Sequence, residues 1–379
     1  MRRLVLFAAA VGVALAAVGG AQAKVVKGQY IVVLEDDASA AAVATRHARV
    51  QGARVLAVYR AALEGYAARL TPAQLAAVRA DPRVRFVERD RTVSIATTQT
   101  NAPWGLDRID QRSRPLSTTF TYFATGAGVR AYVIDTGIRF SHAQFGGRAI
   151  SGYDAVDGGS ADDCNGHGTH VAGTIGGSTY GVAKGVTLVG VRVLGCNGSG
   201  TISGVIAGVN WVTANHQAGQ PAVANMSLGG GASSALDTAV RNSIADGVAY
   251  AVAAGNGNWL GIAQNACNSS PARVGEAMTI SATDSRDRKA SWANYGSCVD
   301  WFAPGVSITS AWHTSSTATR TISGTSMATP HTAGVAALYL QGNPGASPNS
   351  VRTALYNLTT KGVVTSSSTA NNHLLFTNF

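Results

Sequence analysis

The sequence predicts an α/β protein: a parallel sheet with helices on both faces, preceded by a small α+β ferredoxin-like unit. Three observations carry this reading. Strand-length and helix-length runs alternate from about residue 102 onward, the pattern of βαβ units. The run Val129–Asp135 is apolar and β-branched through its length, as a strand buried on both faces is. Residues 24–95 form a separate compositional unit, and residues 1–95 carry 14 Lys/Arg against 7 Asp/Glu, whereas residues 96–379 carry 16 against 13.

The elements follow in order. Met1-Arg2-Arg3, an apolar run from Leu4 to Val18 and the close Ala21-Gln22-Ala23 have the layout of a secretory signal peptide, residues 1–23. The apolar run is short of the roughly 20 residues that cross a bilayer. No later stretch is uncharged and apolar over such a length, so a soluble, secreted product without a membrane role is expected. Residues 24–95 read as β-α-β-β-α-β. Gln29–Leu34 is a strand, Ala38–Gly52 a helix, Leu56–Leu70 strand and turn. Thr71–Asp81 is a second helix with Thr71 as its cap and Pro72 at its first position, and Val84–Val93 a last strand. Thr92–Ala102 is polar and threonine-rich, like a cleavable linker.

Beyond it, Val186–Leu194, Ala222–Ser227 and Val248–Ala254 read as strands, and Thr201–Asn215 and Ala235–Asp246 as helices. Ala333–Leu340 has helix length and helix formers, and Pro330 is tolerable only near a helix start, which puts Ser326 at the N-terminus. The 44 glycines are dispersed, and no repeat of solenoid length is present. The basic excess lies mostly in residues 1–95, which argues against a nucleic-acid partner for residues 96–379.

Three segments carry chemistry. Val129–Asp135 ends in a carboxylate followed by Thr136-Gly137, at the strand edge where α/β sheets build sites. His167 lies between Gly166 and Gly168 at the start of a small-residue helix, with His170 read as structural. Ser326 stands where unpaired helix N–H groups favour negative charge. A serine hydroxyl is a weak nucleophile without a base, and the base needs a carboxylate to hold its tautomer.

Asp135-Thr136-Gly137, Gly166-His167-Gly168-Thr169-His170 and Gly324-Thr325-Ser326-Met327-Ala328-Thr329-Pro330 together resemble the three signatures of the subtilisin-like serine proteases, in that family's chain order. Trp104–Gln111 and Ala224–Gly231 are similar to aqualysin-type enzymes of the proteinase K branch. The resemblance implies a secreted serine endopeptidase with Asp135, His167 and Ser326 as its triad. Val252–Asn256 matches the turn that delivers the oxyanion-hole donor, which makes Asn256 that donor beside the Ser326 N–H. Loss of such a donor costs roughly 2.7–4 kcal/mol in a subtilisin.

The same resemblance makes Ser227-Leu228-Gly229-Gly230 one wall of the pocket for the residue before the scissile bond and Ala253-Ala254-Gly255 its other wall, with Gly198-Ser199-Gly200 as the second edge clamping the substrate. Small uncharged walls imply a preference for apolar or aromatic side chains before the scissile bond, with broad tolerance. Four cysteines in an exported chain imply disulfides, with three possible connectivities. The aqualysin-type pattern implies Cys164–Cys196 and Cys267–Cys298. Residues 24–95 resemble the inhibitor-type propeptide, a chaperone and transient inhibitor removed near Ala96.

No catalytic cofactor is implied, but structural calcium is. Asp300 matches a ligating aspartate, with the carbonyls of Gly275 and Ala277. Asp107, Asp110 and Gln111 match part of a second calcium loop, which departs from the pattern at Ser117 and Thr119. A monomer acting on protein and peptide substrates is expected. Thr332 stands where the family usually has valine, a near-isosteric change. Two other readings stay open: a catalytically inactive binding module on the same fold, and an esterase.

Overall fold

The computed structural model describes residues 25–91 and 96–379. The signal-peptide reading and the last residues of the N-terminal unit lie outside the described residues. The chain divides between Ile95 and Ala96 into two compact units.

The first unit runs β1 (Val25–Leu34), α1 (Ala40–Gln51), β2 (Arg54–Tyr59), β3 (Gly65–Arg69), α2 (Pro72–Arg79) and β4 (Val84–Arg91). Its strands form an antiparallel sheet in the order β2-β3-β1-β4. That is the expected ferredoxin-like weave. Thr71 caps α2 through a capping box with Gln74, and Pro72 occupies the first turn, where its missing N–H costs nothing. Val32, Leu34, Val43, Tyr66 and Val78 form the core of this unit.

The second unit opens with β5 (Thr97–Thr100), α3 (Trp104–Ile109) and β6 (Thr119–Tyr122). It continues with β7 (Arg130–Asp135), β8 (Ala149–Asp154), α4 (His167–Gly176), β9 (Thr187–Arg192), α5 (Ile202–Asn215) and β10 (Ala222–Met226). Next come β11 (Gly230–Gly231), α6 (Ser234–Asp246), β12 (Ala249–Ala253), β13 (Ser269–Ser270), β14 (Met278–Thr283) and β15 (Trp301–Pro304). It ends with β16 (Ile308–Ala311), β17 (Thr319–Ile322), α7 (Thr325–Gly342) and α8 (Pro348–Leu358).

Seven strands form one sheet in the order β15-β14-β12-β10-β7-β9-β8, and every pairing in it is parallel. Both faces are covered, so the central strands alternate between two cores. In β7, Ala131 and Val133 join Val171, Ile175, Val335 and Leu338 of α4 and α7 on one face. Tyr132 and Ile134 join Val205, Val209 and Val240 of α5 and α6 on the other. This is the α/β class the alternating runs predict.

The helix at Ser326 begins where the sequence reading places it. It starts at Thr325, eight residues before the apolar run, and Pro330 lies inside it. A proline there has no N–H to give the carbonyl four residues earlier. That carbonyl belongs to Ser326, and the Ser227 hydroxyl donates to it instead at 2.8 Å. A tertiary bond therefore replaces the missing helical one.

Candidate active site

The carboxyl ends of the parallel strands converge on a cleft. Asp135 is the last residue of β7, Ser227 follows β10, and Ala254-Gly255-Asn256 follow β12. Side chains at such ends are aimed out of the sheet by rigid, buried strands.

Asp135 is fully buried, and its Oδ1 accepts the Thr136 N–H at 2.7 Å and pairs with His167 Nδ1 at 2.7 Å. That contact makes Nδ1–H the donor and leaves the lone pair on Nε2. The His167 side chain is 26% exposed, enough to reach solvent in the cleft. Burial lowers its proton affinity, but the Asp135 charge, the hydrogen bond to it and the Asp163 charge outweigh burial, so its pKa is raised above 6.5. His170 is buried and keeps the structural role read for it. Burial holds it at about 4, neutral, with Nε2 3.0 Å from the Ile308 carbonyl.

Asp163, which carried no role in the sequence reading, holds His167 in place. Its Oδ1 accepts from the Thr136 hydroxyl and the N–H groups of Asn165 and Gly166, at 2.8–2.9 Å. Its Oδ2 accepts from the Thr169 N–H and hydroxyl, at 2.9 and 2.6 Å. One carboxylate thus gathers the turn before α4 and the first turn of the helix, whose N-terminus favours negative charge. Thr136 links back to Asp135 and also accepts the Gly168 N–H at 2.9 Å.

Ser326 sits in the first turn of α7, where the first four N–H groups have no helical partner. Its hydroxyl donates to the Ser227 carbonyl at 3.0 Å. Asn256 Oδ1 accepts both the Thr325 N–H and the Thr325 hydroxyl at 2.8 Å, which fixes the amide's orientation. Its Nδ2 faces the same space as the Ser326 N–H: a methyl group on Gly324 would lie 3.5 Å from each of those nitrogens. Two N–H groups bordering one space are the donors a developing oxyanion would need.

The predicted edges line the cleft. His167, Gly198, Ser199, Gly200, Ser227, Leu228 and Gly229 border one lobe of about 520 Å³. Ser227, Leu228, Gly229, Ala253, Ala254, Gly255, Asn256 and Ser326 border a second of about 330 Å³. Asn294, which the sequence did not single out, also lines the second lobe. Both disulfides form, Cys164–Cys196 and Cys267–Cys298. The first ties the His167 loop to the Gly198–Gly200 edge.

The two calcium sets differ. Asp300 Oδ2 accepts the Thr279 N–H at 2.8 Å, and Oδ1 pairs with the Arg352 guanidinium at 2.5 Å. A cationic side chain already holds this lone carboxylate, so the Asp300, Gly275 and Ala277 set does not fit a hard dication with Arg352 in place. The other set fits better. Asp107 accepts from the Ser117 N–H and hydroxyl and the Thr118 N–H, and Asp110 Oδ2 accepts the Thr121 N–H at 2.7 Å. Asp110 Oδ1 is buried without a partner among the described residues. Burial, with the Asp107 charge adding, pushes the Asp110 pKa up to about 7. The Gln111 amide lies in the same loop, donating to the carbonyls of Ser113 and Pro115. Among the described residues no three His, Cys, Asp or Glu side chains cluster as a metal site.

Fold and site together define the class, a serine peptidase on a parallel α/β sheet. The chain belongs to the subtilase family, which matches residues 126–375, and residues 29–96 match the peptidase inhibitor I9 family. It is 60% identical over 338 residues to an extracellular serine proteinase of Thermus sp. (strain Rt41A), covering 89% of this chain and 81% of that one. Alkaline serine exoprotease A of Vibrio alginolyticus is 54% identical over 85% of this chain, which spans 60% of that longer protein. The crystal structure of a cold adapted subtilisin-like serine proteinase superposes with a TM-score of 0.70 at 56% identity, covering 73% of this chain and 98% of that one.

Proposed function

We propose that the chain is the precursor of a secreted serine endopeptidase with an Asp135-His167-Ser326 triad. The observation that carries this is the Asp135–His167 contact of 2.7 Å, opening on a cleft bordered by Ser326 and Asn256. Neutral His167 takes the Ser326 proton on Nε2 as Oγ attacks the scissile carbonyl. Asp135 stabilises the imidazolium. The Asn256 Nδ2–H and Ser326 N–H receive the oxyanion. His167 then protonates the leaving amine, leaving an acyl-enzyme that water hydrolyses by the reverse sequence.

A substrate strand pairing with Ser227–Gly229 and Gly198–Gly200 supplies a backbone N–H that competes for the Ser227 carbonyl. Losing that acceptor frees the Ser326 hydroxyl for His167. The Ala253-Ala254-Gly255 wall carries no charge, which favours apolar and aromatic side chains in the second lobe. Residues 24–95 act as folding aid and transient inhibitor and are cut off by the same site near Ala96. The product is exported by the leader of residues 1–23 and works as a monomer. Calcium stabilises it at Asp107, Asp110 and Gln111, with no part in the bond cleavage.

The test is labelling by a serine-directed phosphonyl fluoride, with Ser326→Ala as control. Stoichiometric adduct on Ser326 and an unprocessed alanine precursor support the reading. Absence of adduct on folded protein leaves a binding module instead. An ester specificity constant with no matching peptide activity leaves an esterase.

A further inference from the structure

The segment between the two feet of the second lobe is an arch with an apolar crown. Asn294, nearly buried, clamps the feet: its Oδ1 accepts the N–H groups of Gly257 and Gln264 at 2.9 and 2.8 Å, and its Nδ2 donates to the Ala254 carbonyl at 2.8 Å. The Cys267–Cys298 disulfide anchors the descending limb. Asn258 organises the crown. Its N–H donates to the Ile262 carbonyl at 2.9 Å, its carbonyl accepts the Gly261 N–H at 2.8 Å, and its side-chain oxygen accepts the N–H groups of Leu260 and Ile262.

The crown spends this order on holding apolar side chains in water. Trp259 is 90% exposed, Leu260 58% and Ile262 56%, the three most exposed large apolar residues of the second unit's described part. From Gly247 to Ala272 the chain carries no charged residue. A patch of this kind on an ordered loop marks a contact surface. The lining of the lobe includes Gly257 and resumes at Ser269, so the crown stands just outside the cleft and continues its wall.

We propose that Trp259, Leu260 and Ile262 form an exosite for apolar segments of polypeptide substrates, outside the few residues that fill the cleft. The proposal rests on the cleft being the peptide site. Three side chains expose at most several hundred Å², too little for a stable dimer, which needs about 1,200 Å² or more in total. A weak contact suffices for a substrate already held in the cleft, because its second segment then sits at millimolar effective concentration. The neutral surroundings select uncharged, apolar partners and leave sequence selection to the cleft.

The experiment uses the processed enzyme and its Trp259→Ser/Leu260→Ser/Ile262→Ser variant, with the single Trp259→Ser as a milder second variant. The substrates are a tetrapeptide anilide and two long peptides containing that tetrapeptide, one flanked on both sides by Leu- and Phe-rich segments, the other by Ser and Gly. Wild type should prefer the apolar-flanked peptide by about tenfold in kcat/KM, mostly through KM. The triple variant should lose that preference, the single variant should lose part of it, and anilide hydrolysis should be unchanged in both. A retained preference overturns the proposal. So does an equal loss on the anilide, which would make the crown part of the pocket. It is equally overturned if the variants alter only inhibition by the 24–95 peptide, or only self-association. Wild type that fails to cleave the anilide overturns the reading of the cleft and not the exosite alone.

Discussion

Ser227 and Ser326 exchange hydrogen bonds at the centre of the site. The Ser227 hydroxyl donates to the Ser326 carbonyl at 2.8 Å, and the Ser326 hydroxyl donates to the Ser227 carbonyl at 3.0 Å. The first bond exists because Pro330 leaves that carbonyl without its helical donor. The second holds the hydroxyl of the proposed nucleophile on the backbone of the proposed substrate-binding edge.

Ser227→Ala removes one half of this exchange. It also strands the Asn225 amide, which donates to the Ser227 hydroxyl at 2.9 Å. A bond of this kind contributes about 1 kcal/mol net, so kcat should fall roughly fivefold while KM for a small peptide changes little. Steady-state kinetics on a peptide anilide check this, and a purely KM-type effect would contradict it.

Activity should rise with pH as His167 loses its proton, since only neutral imidazole can accept from Ser326. Asp135 and Asp163 hold the folded-state pKa above 6.5, so the acid limb of kcat/KM should sit above that value. Asp163→Asn keeps the shape but removes one of the two charges, and should move the limb to lower pH. A limb that stays in place while the rate drops would make Asp163 a scaffold only. Full pH profiles of kcat/KM distinguish the two.

Removing calcium should lower thermal stability more than activity at moderate temperature, because a bound ion stabilises the native state by mass action. The proposed site is the loop in which Asp110 Oδ1 has no partner among the described residues. In Asp110→Asn the melting temperature should no longer respond to chelator, whereas Asp300→Asn should leave the response intact. Calorimetry in excess chelator and in excess calcium makes the comparison.

Thr332 is more than an isostere of valine. It is fully buried, and its hydroxyl accepts the Trp301 indole N–H at 3.1 Å. Thr332→Val leaves that buried donor unpaired and should cost about 1–3 kcal/mol of stability. Denaturant unfolding measures it, and peptide hydrolysis by the folded variant should be unchanged.

Much of this was legible in the sequence, for identifiable reasons. Asp135 ends a buried strand, His167 and Ser326 begin helices, and each position is marked by local pattern. What stayed hidden depends on partners distant in the chain. The hydroxyl that satisfies the carbonyl Pro330 abandons belongs to Ser227, 99 positions away. Asp163 gains its importance only when the Thr136 turn folds against it. The hold of Arg352 on Asp300 spans 52 positions and joins a helix to the start of a strand. No periodicity announces such contacts.

Helix α7 has a further consequence. It is buried on nearly every side, and its contacts are made by small residues against close neighbours. A Cβ on Gly334 would come within 2.6 Å of Val182 Cβ. The helix therefore works as a rigid spindle with Ser326, the proposed nucleophile, mounted at one end and the domain's packing gripping its shaft. A methyl group inserted at Gly334 cannot be absorbed by a flexible side chain, so it must tilt or slide the shaft and shift Ser326 at its end. Gly334→Ala should thus show as lost turnover at temperatures where the protein is still folded. In this architecture catalysis is the most sensitive gauge of how well the interior is assembled.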